Sequence, residues 1–464
     1  MSHEHKDPSD SMAIGKYRDR IVNGPIIRML LWLGAPPLLN QLIVIAYNTA
    51  DAYWLSLYSD IVVAVPRQVW PIMMLFQALL NALTAASLSI ISQHIGGKAY
   101  KGASRSASRF FTISFLAGGA LCAMLLMLRV FIFAWMSTPS VIFMDVMEYS
   151  GIIAFDIFLN YISLTFSTLL QSVGDTRRPA IINAVAVSLN ILLDPFLVLG
   201  LGPFPRLGVI GASITDVMGK TISSILLAYI IRRNYPEFKI SFTKDMDPKW
   251  AILVMRISLP VLVLGLTNSF AFLVQLKIVN NLGLVAAEAY ARGFIIVDIV
   301  DGVLFGLSGA TAIMVGQNLG AGKIDRAREV SYKSALLIFA LVALGASVIY
   351  PVKGVLADVF ADDLLIIVET ERFLQILLPT LPFFGLFMVA MSTGRGSGHT
   401  FIPTAIGIFR LWGIRIILGY LLAFTLNMGS LGAWLAIALS NVVGGIASLL
   451  WIKFGNWAKP IIKK

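Results

Sequence analysis

Carboxylate and carboxamide side chains recur at helical spacing inside long apolar segments in the first half of this chain. Asp51 follows Tyr47 by four residues, so the two side chains share one helix face. Asp194 follows Asn190 at the same spacing. Ionisable groups at membrane depth are costly and are functional hypotheses by default, and oxygen ligands suit hard cations. Carboxylates that repel one another also take up protons more readily. These residues predict a site for a cation or a proton.

Further polar residues follow the same apolar segments and are predicted to line a cavity beside the acids. A single acid near a helix end can instead reach the membrane surface, and this alternative applies to Asp156 and above all to Asp216. The candidate residues of this wider set are Tyr47, Asn48, Asp156, Asn160, Asn183 and Asp216.

The second half carries its own ionisable residues. Asp298 and Asp301 form an i,i+3 pair that could face a cleft or pair with Arg292, and the pairing is favoured. Three basic residues could counter these acids or contact an anionic group: Lys277, Arg410 and Arg415.

The chain contains an internal repeat. From Pro36 past residue 175, the first half aligns with the second half at a constant offset of 224 residues, which places Pro36 on Pro260 and Gly174 on Gly398, and a three-residue slip then places Gly211 on Gly432. Two copies in a hydrophobic chain are typical of secondary transporters, in which two membrane bundles enclose a pathway.

The acids are not repeated. At the same offset Asp51 falls on Gln275, and Asp194 falls on Leu418. A structural requirement would have been kept in both copies, so this asymmetry places the predicted site in the first copy.

Composition indicates a polytopic membrane protein. Of 464 residues, 58% are hydrophobic and only 13% are charged, and the mean hydropathy is +0.82. Soluble domains average about 25% charged residues. The net charge of +11 lies in loops, where it suits anionic lipid rather than nucleic acid. Cys122 is the only cysteine, which excludes an intramolecular disulfide, and the four histidines lack zinc-ligand spacing.

Twelve segments are long enough to span a bilayer, six in each half, so the predicted fold is all-α with two pseudo-symmetric six-helix bundles. The predicted divisions are a cytoplasmic tail at 1–25, an N-lobe at 26–232, a cytoplasmic loop at 233–248, a C-lobe at 249–456 and a cytoplasmic tail at 457–464. Basic residues concentrate in alternate loops, and the positive-inside rule then places both termini in the cytoplasm of a multi-pass plasma-membrane protein.

Pro36 lies in the first span, 15 residues before Asp51, or about four helical turns. Proline removes a backbone donor and kinks a helix. We therefore predict that the first span moves at Pro36, with a static kink as the alternative.

Several sequence motifs resemble the multidrug and toxic compound extrusion (MATE) family, and the pattern of acids is similar to its DinF-like prokaryotic and archaeal branch. The motifs are YNTADAYWL, SQHIGGKAYKGA, GDTRRP, NILLDPFLVLG and GQNLGAGKIDRA. Their order and duplicated spacing extend over residues 22–455.

The resemblance implies an antiporter that exports cationic or amphipathic organic compounds as Na⁺ or H⁺ flows in. It implies that Asp51, Asn190 and Asp194 form the coupling site and the ligands of a bound Na⁺. Tyr47 matches a tyrosine of the same cavity, and Pro36 matches the kink proline.

This chain departs from the family pattern in the sixth span, where Asp216, beside Thr215, replaces an expected threonine. An extra carboxylate could tighten cation binding, add a protonation site or distort the geometry, and Asp216 is included in the predicted coupling set. Acids expected in the seventh and tenth spans of other branches are not evident, since Gln275 and MSTGRGSG occupy them. We therefore expect no coupling site in the C-lobe.

Two other functions compete with this one. A lipid-linked oligosaccharide flippase of the same superfamily is the alternative, although such flippases usually have more spans and a cationic cavity. An intramembrane enzyme would need a nucleophile–base pair or an HExxH motif, and neither is present. We expect no cofactor beyond the coupling ion, small organic cations and membrane lipids as partners, and function as a monomer.

Overall fold

The computed structural model describes residues 13–59, 61–359 and 363–462, except for the side chains of residues 52, 298–301, 303 and 305. Within these residues the chain forms helices joined by turns and by longer irregular segments, and no strand occurs among them. The predicted all-α fold is confirmed.

The first half contributes seven helices: α1 Arg18–Asn23, α2 Ile26–Tyr58, α3 Ala64–Gly96, α4 Tyr100–Trp135, α5 Ser140–Val173, α6 Arg177–Leu199 and α7 Val209–Asn234. The second half contributes α8 Pro248–Asn281, α9 Leu284–Gly320, α10 Ile324–Ile349, α11 Lys353–Val359, α12 Leu364–Leu377, α13 Leu381–Ser397, α14 Phe401–Ile408 and α15 Gly429–Phe454. Between α14 and α15 the chain is π-helical over Phe409–Leu418 and Leu421–Thr425.

Eleven helical stretches of the described chain are long and apolar enough to cross a membrane. Some combine two helices, since α10 continues into α11 and α12 into α13. The remaining predicted span, 284–317, corresponds to α9, a helix of 37 residues that includes the side chains left undescribed.

The chain divides into two compact units. Within the described residues, unit 1 comprises 13–20 with 39–255, and unit 2 comprises 21–38 with 256–462. The start of α2 thus packs in unit 2, although the predicted N-lobe begins at residue 26. Gly34 explains part of this packing, because a Cβ there would lie 2.9 Å from Leu307 Cδ2 of α9.

The change of packing partner in α2 follows its proline pair directly. Pro36 and Pro37 lie inside the helix, which continues through them, and the boundary between the units falls after Leu38. Neither proline has an N–H to donate, so the backbone ladder is weakest at this boundary.

Each unit has its own hydrophobic core. In unit 1 the core contains Leu125, Phe133 and Tyr161, and the Tyr161 hydroxyl donates to the Phe76 carbonyl at 2.7 Å, which ties α5 to α3. In unit 2, Trp434 packs edge-on against Phe373 at 4.9 Å between ring centroids.

Glycines at equivalent positions of the two copies have the same structural roles. Gly174 ends α5 at φ +97° and Gly398 ends α13 at φ +80°, a left-handed conformation that favours glycine. In a second equivalent pair, which lies three residues off the 224-residue offset, a Cβ on Gly211 would lie 2.6 Å from the Leu197 carbonyl carbon, and one on Gly432 would lie 2.7 Å from that of Leu422. Both copies therefore use glycine for the same turn and the same close helix contact.

The segment between α7 and α8 lies along α4. The Lys239 and Thr243 N–H groups donate to Ser104 Oγ and Thr112 Oγ1, each at 3.1 Å, and Ser241 N–H donates to Ser108 Oγ at 3.3 Å. Four helical residues rise about 6 Å, and two extended residues advance about 6.6 Å, so the hydroxyls and every second amide stay in register.

An ion-pair network holds the end of this segment. The buried Arg109 donates to the Asp245 carbonyl at 2.6 Å and to its carboxylate at 3.0 Å, and Arg105 pairs with the same carboxylate. Hydrogen bonds from Arg105 and Arg109 lower the pKa of Asp245 to about 2. The segment is thus anchored to unit 1 by charge as well as by hydroxyls.

Candidate functional site

Three helices of unit 1 converge on Asp216. The Tyr47 hydroxyl of α2 donates to Asp216 Oδ1 at 2.5 Å, and the Asn190 amide of α6 donates to the same oxygen at 3.1 Å. Gly219 makes room for this contact, since a Cβ there would lie 2.6 Å from Asn190 Oδ1. The structure therefore places Asp216 at the centre of the predicted set instead of at a helix end facing the membrane surface.

Asp194 is fully buried one turn after Asn190 and is held by Thr215 of α7. The Thr215 hydroxyl lies 2.6 Å from Asp194 Oδ1 and 2.7 Å from the Ala212 carbonyl. One hydroxyl proton can serve either acceptor. An ionised Asp194 accepts that proton, whereas a protonated Asp194 can donate to Thr215 while Thr215 donates to Ala212. This geometry suits both protonation states.

Some carboxylate oxygens of these acids lack a hydrogen-bond donor within the described residues. Asp51 Oδ1, Asp156 Oδ1 and Asp194 Oδ2 are buried, and within the described residues they make no hydrogen bond. Asp51 interacts electrostatically with both Asp194 and Asp216. A buried carboxylate oxygen without a donor is costly, so these atoms favour a proton or a cation.

Asp156 lies in α5 at 7% exposure and interacts electrostatically with Asp216. It is buried in mid-helix, which removes the alternative that it reaches the membrane surface. One turn later, Asn160 donates to Gln77 Oε1 at 3.1 Å, and Gln77 donates to Asn81 at 3.1 Å. A chain of carboxamides thus continues from this acid into α3.

Two predicted cavity residues lie apart from the four acids. Asn48 is on an exposed face of α2, and Asn183 donates to Asn40 at 2.8 Å, nearly two turns from Asn190. Within the described chain, no three His, Cys, Asp or Glu side chains are close enough to hold a metal ion.

Sequence reasoning missed polar residues in both units. Lys220 in α7 follows Asp216 by four residues and interacts electrostatically with Asp156, and a lysine in mid-span was the available signal. In unit 2, Glu369 is a buried acid of the tenth span that accepts the Trp434 indole N–H at 2.6 Å and pairs with Arg372 at 3.2 Å. Its two donors make Glu369 a structural acid.

Arg292 has an ionic partner other than the predicted Asp298 or Asp301, because its guanidinium pairs with the Glu288 carboxylate at 3.1 Å. The side chains of Asp298 and Asp301 lie outside the described residues. Arg410 and Arg415 of the π-helical stretch both donate to Asn441 Oδ1, at 3.2 and 3.4 Å. They flank a small cavity of about 60 Å³ in unit 2.

Comparison with known proteins gives the family. The MatE family profile matches residues 36–196 and again residues 260–421, and the two matches begin 224 residues apart, at the offset of the internal repeat. The chain belongs to the MatE family. Both matches begin at a proline, Pro36 and Pro260, so the family's repeating unit coincides with the repeat read from the sequence.

Relatives of this MatE protein are transporters. It is 25% identical over 413 residues to the probable multidrug resistance protein YoeA of Bacillus subtilis, covering 86% of this chain and 88% of YoeA. It is 25% identical over 442 residues to the FAD transporter of Shewanella oneidensis, covering 93% and 95% of the two chains. A crystal structure of MATE in the straight conformation superposes with a TM-score of 0.86 at 20% identity, covering 94% of this chain and 97% of that one. This MatE protein is a multi-span membrane transporter and not an enzyme.

Proposed function

We propose that this MatE transporter is a cation-coupled antiporter. It exports bulky cationic or amphipathic organic compounds while H⁺ or Na⁺ flows in through unit 1. The observation that carries this proposal is the group of four acids in unit 1, whose buried oxygens on Asp51, Asp156 and Asp194 have no donor within the described chain.

Coupling follows from competition for the same negative charge. The acids Asp51, Asp194 and Asp216 interact with one another electrostatically, and ionised together they repel. A proton or Na⁺ relieves that repulsion, and so does an organic cation. Because either cation weakens the attraction for the other, one is released when the other binds. Asn190 and Asp194 supply oxygens of the kind that Na⁺ prefers.

Thr215 connects ion binding to the backbone. When Asp194 binds a proton or a cation, the Thr215 proton is free to bond to the Ala212 carbonyl. Since the two acceptors lie at 2.6 and 2.7 Å, the exchange needs no displacement of α7.

In the proposed transport cycle, α2 is the helix that changes its course. Its packing passes from unit 2 to unit 1 directly after Pro36 and Pro37. Asp51 and Tyr47 lie beyond this point on the unit 1 side, so relief of charge at Asp51 can bias the course of α2. This arrangement supports alternating access with Pro36 as the hinge.

The proposed location is the plasma membrane with both termini in the cytoplasm, because the basic residues collect in alternate loops. The coupling machinery lies within one chain, so a monomer suffices. Small organic cations and membrane lipids are the proposed partners.

The experiment uses purified transporter in proteoliposomes loaded with the cationic dye ethidium. Inward Na⁺ and H⁺ gradients are imposed separately, and dye efflux is followed by fluorescence. We expect efflux under one or both gradients. A rate of dye efflux that is the same with and without each gradient would contradict the proposal.

A second substrate arm uses flavin adenine dinucleotide, since one relative is named an FAD transporter. The acid-rich unit 1 repels this anion, so we expect ethidium to be transported in preference. Faster transport of the dinucleotide would contradict the proposed substrate class.

A further inference from the structure

Asn40 of α2 and Asn183 of α6 form a hydrogen bond that the proposed coupling does not use. The Asn183 amide donates to Asn40 Oδ1 at 2.8 Å, and both side chains are half-buried. Leu38, two residues before Asn40, still packs in unit 2, where a Cβ on Gly306 of α9 would lie 2.7 Å from the Leu38 Cβ. The bond therefore ties α2 to α6 at the first turn of α2 that belongs to unit 1.

This bond marks the register of two parallel helices. Three spans separate α2 from α6, so both cross the membrane in the same direction, and their equal rise keeps residue pairs at one offset level. The offset from Asn40 to Asn183 is 143 residues. The same offset runs from Tyr47 to Asn190, and these two side chains donate to one oxygen of Asp216. Contacts two turns apart therefore agree on one register.

The same register brings two acids together. Asp51 lies eleven residues after Asn40 on one face of α2, and the 143-residue offset sets it level with Asp194 of α6. The two acids interact electrostatically, which agrees with this placement. A shift of α2 along α6 would move Asp51 away from Asp194, so the asparagine pair is placed to control their separation.

The second copy makes the same contact with different chemistry. At the 224-residue offset of the repeat, the two positions are Leu264 of α8 and Gly407 of α14, and a Cβ on Gly407 would lie 2.9 Å from Leu264 Cδ1. A leucine packed on a glycine is thus sufficient for this contact. Polar residues inside a membrane are costly, whereas a buried asparagine fixes the register of paired helices. The asparagine pair of unit 1 therefore indicates a role in register beyond packing.

We propose that the Asn40–Asn183 pair is a register clasp that holds Asp51 level with Asp194. The two asparagines are positioning residues, which act on the coupling ion through the acids and do not touch it. The inference rests on the proposed cation coupling and goes beyond it, because it identifies what places the acid of α2 at the site. Without the clasp, repulsion between the ionised acids moves α2 away from α6, and the coupling ion is bound less tightly.

The test measures ethidium efflux from proteoliposomes against the concentration of the driving ion. Asn40→Leu and Asn183→Leu each remove the bond, so each should raise the concentration for half-maximal efflux by about 3- to 30-fold, the range for a hydrogen bond between membrane helices. The double variant should show the same shift as either single variant, because all three lack the same bond. The maximal rate at saturating ion should stay near wild type, because the acids themselves are intact.

Two further variants separate the bond from packing. Asn40→Leu with Asn183→Gly reproduces the packed pair of unit 2, so it should fold and show the same shift as the single variants. Thr49→Val removes a hydroxyl that donates to the Ile45 carbonyl of the same helix at 3.1 Å, and it should keep the wild-type concentration.

The inference is overturned if the asparagine variants keep the wild-type half-maximal concentration, or if the shifts of the two single variants add in the double variant. An equal shift in Thr49→Val would overturn it as well. Wild-type efflux that responds to neither ion would overturn the proposed coupling and this inference together. A coupled wild type with an unchanged Asn183→Leu value overturns this inference alone.

Discussion

Substitution of Gly219 by alanine tests whether the Asn190–Asp216 contact contributes to ion binding. The new Cβ would lie 2.6 Å from Asn190 Oδ1, where ordinary contact begins at 3.4 Å, so the amide must retreat by about 0.8 Å. Its hydrogen bond to Asp216 is already 3.1 Å long and would be lost.

The magnitude follows from the lost hydrogen bond. A hydrogen bond to a charged group contributes about 1.5–3 kcal/mol, whereas the helix propensity of alanine acts equally on the ion-bound and ion-free protein and does not change the binding constant. The change is therefore about 1.5–3 kcal/mol, or roughly 10- to 150-fold in a binding constant.

Dye efflux measured against the concentration of the driving ion checks this value. Gly219→Ala should lower the concentration for half-maximal efflux by roughly 10- to 150-fold, because an Asp216 carboxylate that has lost a donor binds a proton or a cation more readily. Gly345→Ala is the matched control, because no atom lies within 4 Å of the added Cβ in α10. It should leave that concentration unchanged and raise the thermal stability slightly. Equal half-maximal concentrations for the two variants would refute the reasoning.

Two further predictions concern Thr215 and the segment between α7 and α8. Thr215→Val removes the only described donor to Asp194 and should lower unfolding stability by about 1–3 kcal/mol in thermal melts, whereas Thr215→Ser should stay near wild type. Since the pKa of Asp245 is lowered to about 2, its contribution to docking is full above about pH 4 and is lost as the pH falls toward 2. Pepsin should therefore cut the wild-type segment faster as the pH falls through this range. The Asp245→Asn segment should be cut readily already at pH 4. Equal cleavage of the two proteins at pH 4 would contradict the role of the Arg109 and Arg105 contacts.

The helices and the repeat could be predicted from the sequence because each depends on residues that are close together in the chain. Apolar length defines each span, and Gly174 and Gly398 mark turns by a backbone conformation that glycine favours. The spacing of Asn190 and Asp194 likewise placed both on one face of α6.

What sequence reasoning missed depends on contacts between helices. The division of α2 at Leu38 arises from packing against α9, which no local pattern encodes. Asp216 gave the same sequence signal as an acid that reaches the membrane surface, and only the contacts from Tyr47 and Asn190 place it at the site. The π-helical course of Phe409–Leu418 was also not predicted.

The central claim is that the coupling ion binds at the acids of unit 1. Asp51→Asn tests it most directly, because it removes one charge, keeps the shape and leaves the unpartnered oxygen position in place. Asp145→Asn, at an acid of α5 outside this group, is the matched control. We predict that ion-driven ethidium efflux is abolished in Asp51→Asn and retained in Asp145→Asn, with both proteins folded. Wild-type efflux by Asp51→Asn under the same gradient would contradict the account.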